Sequence, residues 1–227
     1  MTLTPLKTPI VYPEPDGSPM AESDPARDYL IYGVSSLKLY FQNRRDVYVS
    51  GNLWLSYEQG VPDAVVCPDV FVVFGVENRQ RRSYRVWEEN GKTPDWVLEV
   101  TSSSTHRKDD MEKPNIYAQM GVCEYFQYDP TGDYLNPPLK GRRLTRNGGY
   151  EIITPNDTED GMLSFPSQVL GLEMRLLPDS RMRFFNPQTE EYLRSPQESE
   201  RERVLEKQRA DLERRRADLE RQKTTSR

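Results

Sequence analysis

The middle of the sequence reads Trp96-Val97-Leu98-Glu99-Val100-Thr101, an apolar run with one carboxylate in its interior. A second apolar run, Val65 to Phe74, precedes it and contains Asp69 directly after Pro68. Nearly continuous apolar runs of this length are typical of strands that are covered on both faces. An unpaired carboxylate inside such a strand is costly, so some other group must compensate Glu99.

The two acidic residues define a candidate cation site. If the two strands are neighbours, Asp69 and Glu99 converge on one divalent cation, and the backbone carbonyl of Val100 completes an oxygen-rich set suited to Mg²⁺. Such an ion activates water and stabilises charge on a phosphate. The nearest lysines that could orient the water or the phosphate are Lys108 and Lys113. A plainer interpretation, in which Asp69 caps a turn and Glu99 lies at a sheet edge, stays open on spacing alone.

The elements around these two strands predict an α/β fold. Apolar residues recur at helical spacing over residues 25–44, with Asp24 as the expected N-cap. A second helix is expected from Asp109 to Met120, and it should kink at Pro114 if it begins earlier. In chain order the sequence predicts a helix (25–44), strands (46–50, 52–56 and 65–74), a mobile charged connection or hairpin (75–94), a strand (96–101), a helix (109–120), a strand (124–128) and a β-rich extension (150–153, 162–165, 170–176 and 181–185).

The two ends of the chain differ from its body. Residues 1–24 are rich in proline and predict an extended arm. Residues 189–227 predict a charged helical tail, in which Leu205, Leu212 and Leu219 recur every seven residues. The other seam position of that heptad holds Arg209 and Arg216, so only half of a coiled-coil core is present. A single solvated helix and a weakly self-associating coiled coil both remain open. The body is then residues 25–188.

Composition excludes several classes of protein. The 227 residues contain no apolar run near the roughly 20 residues that a membrane span requires, and no secretory signal is visible, so we expect a cytoplasmic protein. Cys67 and Cys123 are expected to be buried reduced thiols. His106 is the one histidine, which excludes a His-x-x-x-His metal site. The net charge of −5 argues against a surface that is basic throughout, although a local basic groove remains possible.

Three ordered segments carry a resemblance to a known family. They run from Pro68-Asp69 to Val73, from Trp96 to Lys113, and from Tyr117 through Glu124-Tyr125-Phe126 to Asp129-Pro130. Together they resemble the Uma family of putative restriction endonucleases, within the PD-(D/E)xK nuclease superfamily, and the likeness spans about residues 10–195. The resemblance implies a restriction-endonuclease-like αβββαβ core that holds a Mg²⁺-dependent phosphodiesterase site, in agreement with the element order above.

The same resemblance implies roles for individual residues. Asp69, Glu99 and the Val100 carbonyl would be metal ligands, for Mg²⁺ or for Mn²⁺ as a substitute, and Lys113 would be the catalytic lysine. The superfamily places its lysine two residues after the second acid, where this chain has Thr101, so Lys113 must act from the helix. Accessory positions would be Glu14, which is expected to approach from the N-terminal arm, Lys108 and Asp109.

The expected function is hydrolysis of DNA phosphodiester bonds by a Mg²⁺-dependent endonuclease. A basic segment is a candidate for nucleic-acid contact through Arg79, Arg81, Arg82 and Arg85. Cutting both strands of a duplex needs two sites, so a homodimer is expected, and the tail offers a coiled-coil partner surface. Two alternatives stay open. One is a catalytically silent nuclease-like module for DNA binding or assembly, and the other is a metal hydrolase that acts on something other than nucleic acid.

Overall fold

The computed structural model describes residues 23–102 and 105–225, with the side chains of the last helix described as far as Arg216. Glu14 and nearly all of the expected N-terminal arm lie outside the described residues. The chain divides into two compact units, Met1–Leu193 and Arg194–Arg227. Within the described ranges, no helix is long and apolar enough to cross a membrane.

The secondary structure consists of helices at the two ends and the middle, and of strands in three sheets. The helices are α1 (Asp24–Tyr40), α2 (His106–Met111), α3 (Lys113–Met120) and α4 (Pro196–Thr225), and Val86–Glu89 forms a 3₁₀ turn. The strands are β1 (Val47–Ser50), β2 (Leu55–Ser56), β3 (Val65–Val66), β4 (Val70–Phe74), β5 (Tyr84–Arg85), β6 (Trp96–Val100), β7 (Glu124–Tyr128), β8 (Leu139–Leu144), β9 (Tyr150–Ile152), β10 (Asn156–Asp157), β11 (Leu163–Ser167), β12 (Leu172–Leu176), β13 (Met182–Asn186) and β14 (Glu191–Tyr192).

A six-stranded central sheet organises the first unit. Its strand order is β1-β4-β6-β7-β8-β9, and β4 lies antiparallel to β6. Strands β6 and β7 are parallel, and the crossover between them contains α2 and α3. Along the chain, α1, β1, β4, β6, the α2–α3 pair and β7 give the expected αβββαβ order. The predicted α/β fold with a β-rich extension and a charged C-terminal helix is confirmed.

Both faces of the central sheet are covered, as the apolar strands predicted. Side chains that alternate along β4 and β6 enter two separate cores. One face packs against α1 and the five-stranded sheet β10-β11-β12-β13-β14, and this core includes Val70, Trp96 and Leu98. The other face packs against α3 and the three-stranded sheet β3-β2-β5, and this core includes Phe71 and Val97. Glu99 shares the second face because it lies two residues after Val97.

The predicted strand from Val65 to Phe74 is wrong as a single element. It is broken at residues 67–69 into β3, which joins the small sheet, and β4, which joins the central sheet. Pro68 explains the break, because it has no amide to donate to a sheet ladder. Its carbonyl instead accepts from the Asn52 amide at 2.8 Å. Asp69 therefore stands at the start of β4, where the chain passes from one sheet to the other.

Two helices also differ from their predicted bounds. The N-cap of α1 is Ser23 instead of Asp24, and its hydroxyl accepts from the Ala26 amide at 3.4 Å. The helix predicted from Asp109 begins earlier, at His106, and is interrupted at Glu112. This break is the anticipated kink, because Pro114 lies in the first turn of α3, where its missing amide loses no hydrogen bond.

The connection over residues 75–94 is not the simple mobile hairpin that its charge suggested. It contributes β5 to the small sheet and then forms the 3₁₀ turn. The Arg81 guanidinium bonds both carboxylate oxygens of Glu89, at 2.8 and 2.9 Å, and lies 4.2 Å above the ring of Tyr48. A bidentate ion pair with so little exposed surface fixes the segment against the sheet.

Candidate active site

Strand pairing brings the two predicted acids together. Val70 pairs with Leu98 in the antiparallel register of β4 and β6, so the residues next to them, Asp69 and Glu99, face each other across the ladder. The Asp69 amide lies 3.4 Å from Oε2 of Glu99, and the Val100 amide donates to Oδ2 of Asp69 at 2.7 Å. The condition set by the sequence, that the two strands be neighbours, is therefore met.

Glu99 is fully buried, and helix α3 supplies partners for both of its carboxylate oxygens. Lys113 Nζ lies 2.9 Å from Oε2. The Tyr117 hydroxyl, also fully buried, donates to Oε1 at 2.5 Å. Lys113 and Tyr117 are four residues apart, so one face of α3 presents both groups to the strand. This is the compensation that a carboxylate inside an apolar strand requires.

Asp109 adds a third carboxylate to the same cluster. It has no exposed surface, and its Oδ1 lies 2.8 Å from Lys113 Nζ. The Tyr125 hydroxyl donates to the Asp109 backbone carbonyl at 2.6 Å, which holds the end of α2 against the sheet. The carboxylates of Glu99 and Asp109 thus both pair with the Lys113 ammonium, and Asp69 adjoins Glu99. The cluster therefore brings three carboxyl groups together in a buried place.

Burial and the closeness of these groups shift the pKa of several of them. Burial, followed by repulsion from Glu99, raises the pKa of the Asp69 carboxyl well above its usual range, and the same two causes raise the pKa of Asp109. Burial lowers the pKa of Lys113, but attraction to Glu99 and then Asp109 outweighs it, so the net shift is upward. Burial and Glu99 also raise the pKa of Tyr117. Lys113 and Tyr117 are therefore protonated hydrogen-bond donors at neutral pH.

The cluster opens into a cleft of about 380 Å³. Its polar lining residues include Asp69, Lys108, Glu112 and Lys113. Its apolar lining residues come from α1, the loop before β2, β3 and α3. These apolar residues are Ala26, Leu30, Trp54, Val65, Val66 and Ile116.

The predicted arginine cluster lies elsewhere. Arg79 and Arg81 both pair with Glu89, and Arg85 pairs with Glu88. Arg82 is exposed. The four arginines do not line the cleft that contains the acids. Of the predicted accessory residues, Lys108 lies at the cleft and Asp109 lies in the buried cluster, while Glu14 is outside the described residues.

The sequence missed two features of the site. The first is Tyr117, which the spacing Asp109-x-x-x-Lys113-x-x-x-Tyr117 could have marked as part of one helix face. The second is Gly51. A Cβ at Gly51 would lie 2.0 Å from the Asp69 carbonyl oxygen. The loop before β2 therefore approaches Asp69 so closely that only glycine fits at position 51.

The oxygen donors available to a cation are few. Among the described side chains, those of residues 23–102 and 105–216, no three from His, Cys, Asp or Glu lie together in an arrangement that holds a metal ion. Asp69 and Glu99 form a pair of adjoining carboxylates, with the backbone of Val100 beside them. Mg²⁺ typically binds one or two carboxylates and keeps several waters, so this donor set fits that ion.

Comparison with known proteins identifies a family and a structural likeness. No curated protein matches the chain. Among solved structures, a putative nuclease belonging to DUF820 from Anabaena variabilis ATCC 29413 is 14% identical, with a TM-score of 0.48 over 67% of this chain and 76% of that one. The family model for Uma2, described as putative restriction endonuclease, matches residues 25–176, which is more than half of the chain. The protein is therefore a member of the Uma2 family.

Proposed function

We propose that this protein is a Mg²⁺-dependent endonuclease that hydrolyses phosphodiester bonds in DNA. The observation that carries the proposal is the adjoining pair of acids Asp69 and Glu99 beside the Lys113 ammonium, with Asp69 and Lys113 lining an open cleft. Burial and the charge of Glu99 disfavour the ionised form of Asp69, and a cation bound by the two acids would offset that cost. Membership of a family described as restriction endonucleases supports a nuclease in general terms.

Asp69, Glu99 and the Val100 carbonyl would hold the ion. A divalent cation at this place would supply an activated water and would offset charge on a phosphate. Mn²⁺ takes the same oxygen ligands and should substitute.

The protein's own residues prepare the site in two ways. Lys113 keeps its proton, so it cannot act as a general base, and its ammonium can donate to a phosphate oxygen or to the attacking water. Asp109 and Glu99 both pair with that ammonium, at 2.8 and 2.9 Å, and hold it in place. Tyr117 fixes the rotamer of Glu99 by bonding the oxygen that Lys113 does not reach. DNA phosphates would then meet a positive group whose position is already set.

The silent-module alternative is favoured by one specific observation. Both carboxylate oxygens of Glu99 already have protein partners, Tyr117 and Lys113. A site that is satisfied in this way can persist as a structural ion pair with no metal. On that alternative the chain binds DNA, or recruits a partner through the tail, and does not cut DNA.

Metal binding separates the two functions. Calorimetry with Mn²⁺ in the presence of a short DNA duplex should show binding by the parent chain and none by Glu99→Gln. Glu124→Gln serves as a matched control, because Glu124 is also fully buried in the central sheet but pairs with Arg143 and Ser167. Equal binding by the parent and Glu99→Gln would exclude this site, and absence of binding by the parent would favour the silent module.

A further inference from the structure

The apolar residues that line the cleft have no role in holding a cation. They are aliphatic side chains and Trp54, which is partly exposed. We propose that Trp54 and its apolar neighbours form a subsite for an unpaired nucleobase, so that the substrate is DNA with unpaired nucleotides next to the bond that is cut. This inference rests on the proposed function and names the substrate class of the same site.

Trp54 is held in place through its backbone. Its carbonyl accepts from the Tyr84 amide at 2.8 Å, and the Asn52 amide, two residues earlier, donates to the Pro68 carbonyl at 2.8 Å. Gly51 touches the backbone of Asp69 at a distance that only glycine permits. The loop that carries the indole is therefore tied to the residue that begins β4, and the indole and the Asp69 carboxylate line one cleft.

The cleft lining contains groups suited to both parts of a nucleotide. A phosphate would lie beside Lys113 and Lys108, and the attached base would lie against the indole and the aliphatic wall formed by Leu30 and Ile116. The cleft volume of about 380 Å³ is in the usual range for a site that takes one small molecule. Stacking of bases on aromatic side chains is the common way to bind single strands without reading sequence.

Duplex DNA fits the same surface poorly. Bases within a duplex are stacked on each other, so they cannot place a face on an indole unless they are unpaired or flipped out. Proteins that grip a duplex neutralise a series of phosphates with basic side chains. The described lining has only two, Lys108 and Lys113, and it also contains the acids Asp69 and Glu112. Stacking must therefore supply most of the affinity at this site.

The test compares three DNA substrates of one sequence: a full duplex, the same duplex with an internal stretch of unpaired nucleotides, and the single strand. The full chain is assayed with Mn²⁺ by gel, as the parent, Trp54→Ala and Trp54→Phe. Tyr192→Ala is the matched control, since Tyr192 is a partly buried aromatic residue on β14 that does not line the cleft. The parent should cut the two unpaired substrates about 10-fold faster or more, Trp54→Ala should lose that difference, and Trp54→Phe should retain most of it.

A binding measurement distinguishes failure of the subsite from failure of the proposed function. Fluorescence anisotropy of a labelled single strand, with no metal added, should show about 10-fold weaker binding by Trp54→Ala and a shallow dependence on salt for the parent. Equal binding by Trp54→Ala and the parent, or faster cutting of the full duplex, would overturn the subsite. Absence of cutting by the parent on all three substrates would instead overturn the nuclease, while weaker binding by Trp54→Ala would still support the subsite.

Discussion

At the scale of single residues, the site depends on how a buried carboxylate is satisfied. Removing the Tyr117 hydroxyl leaves one oxygen of Glu99 buried with no donor, since Lys113 reaches only the other oxygen. A buried charged acceptor that loses its donor costs about 1–3 kcal/mol or more. Tyr117→Phe should therefore lower the free energy of unfolding by about that amount, as measured by urea denaturation followed by circular dichroism.

A second tyrosine provides the control for this change. The Tyr150 hydroxyl donates to the Val122 backbone carbonyl at 2.8 Å, which is a neutral acceptor. Tyr150→Phe removes the same atom and should cost only about 0.5–1.5 kcal/mol. An equal loss of stability in the two variants would show that the charge of Glu99 does not strengthen the hydrogen bond from Tyr117.

Asp129 is a residue whose effect on stability should depend on pH. Burial raises its pKa, but bonds from the backbone amides of Tyr134, Leu135 and Thr131 and from the Thr131 hydroxyl outweigh burial, so the net shift is downward. A carboxyl with a lowered pKa contributes stability that is present above its unfolded pKa of about 3.9 and is lost as pH falls through the folded pKa.

Asp129→Asn should therefore cost stability at neutral pH and cost less in acid. The amide group would face two backbone N–H donors, those of Tyr134 and Leu135, with no acceptor for them. We expect a loss of about 1–3 kcal/mol at pH 7 that shrinks as pH falls below about 4, as measured by urea titration at each pH. Asp133→Asn, in the same loop but exposed, should change nothing. A difference that does not vary with pH would show that the carboxylate charge is unimportant.

At the scale of elements, the loop before β2 positions the start of β4. A Cβ at Gly51 would meet the Asp69 carbonyl oxygen at 2.0 Å and Val34 Cγ2 at 2.7 Å. Backbone cannot move aside cheaply, so Gly51→Ala should cost about 1–3 kcal/mol of stability and should also weaken Mn²⁺ binding by shifting Asp69. Gly149→Ala is the matched control, because no atom lies within 4 Å of a Cβ there. Equal stability of the two variants would mean that the loop can relax with no effect on β4.

The sequence predicted the elements that repeat a simple pattern and missed those that depend on distant partners. The runs that became β4 and β6 were visible because both of their faces are apolar. Strand β8 was missed because its Arg142 and Arg143 conceal any apolar alternation. These arginines pair with Asp110 and Glu124, which are distant in sequence, so their strand is stabilised by contacts that no local window contains.

The same distinction between local patterns and distant partners applies to the candidate site. Asp69 and Glu99 could be selected because acids inside apolar strands require compensation, whereas Lys113 was distinguished from Lys108 only by the family resemblance. The structure places the three together. The contact of Tyr117 could not be predicted, because it requires knowing that α3 packs on β6. The placement of Trp54 depends on the break at Pro68, which apolar periodicity alone does not reveal.

At the scale of the whole molecule, charge is distributed unevenly along the chain. Residues 1–196 contain 28 Asp and Glu against 21 Lys and Arg, so this part of the chain is acidic. For the proposed DNA substrate, long-range attraction to this acidic part would be weak, so binding would depend on local groups in the cleft. The acidic body and the proposed base subsite both predict that DNA would be bound through few phosphates.

The second unit is the other feature at this scale. Helix α4 begins with a capping box, in which the Ser195 amide donates to Glu198 Oε2 at 2.7 Å and the Glu198 amide donates to Ser195 Oγ at 3.2 Å. None of its side chains up to Arg216 is buried, and Leu205 and Leu212 are 53% and 51% exposed. The helix therefore gains little from tertiary packing over the part whose side chains are described.

We expect removal of residues 197–227 to leave the thermal midpoint of the body unchanged to within about 2 °C, because none of the deleted side chains up to Arg216 is buried. Scanning calorimetry of the parent and truncated chains measures this, with circular dichroism to confirm the lost helix. Since only one position of the heptad seam is apolar, we also expect both chains to sediment with the same oligomeric state at micromolar concentration. A midpoint lowered by several degrees would show that α4 stabilises the body. A parent dimer that becomes a monomer on truncation would instead show that α4 is the coiled-coil contact, and the exposed leucines would then be its seam.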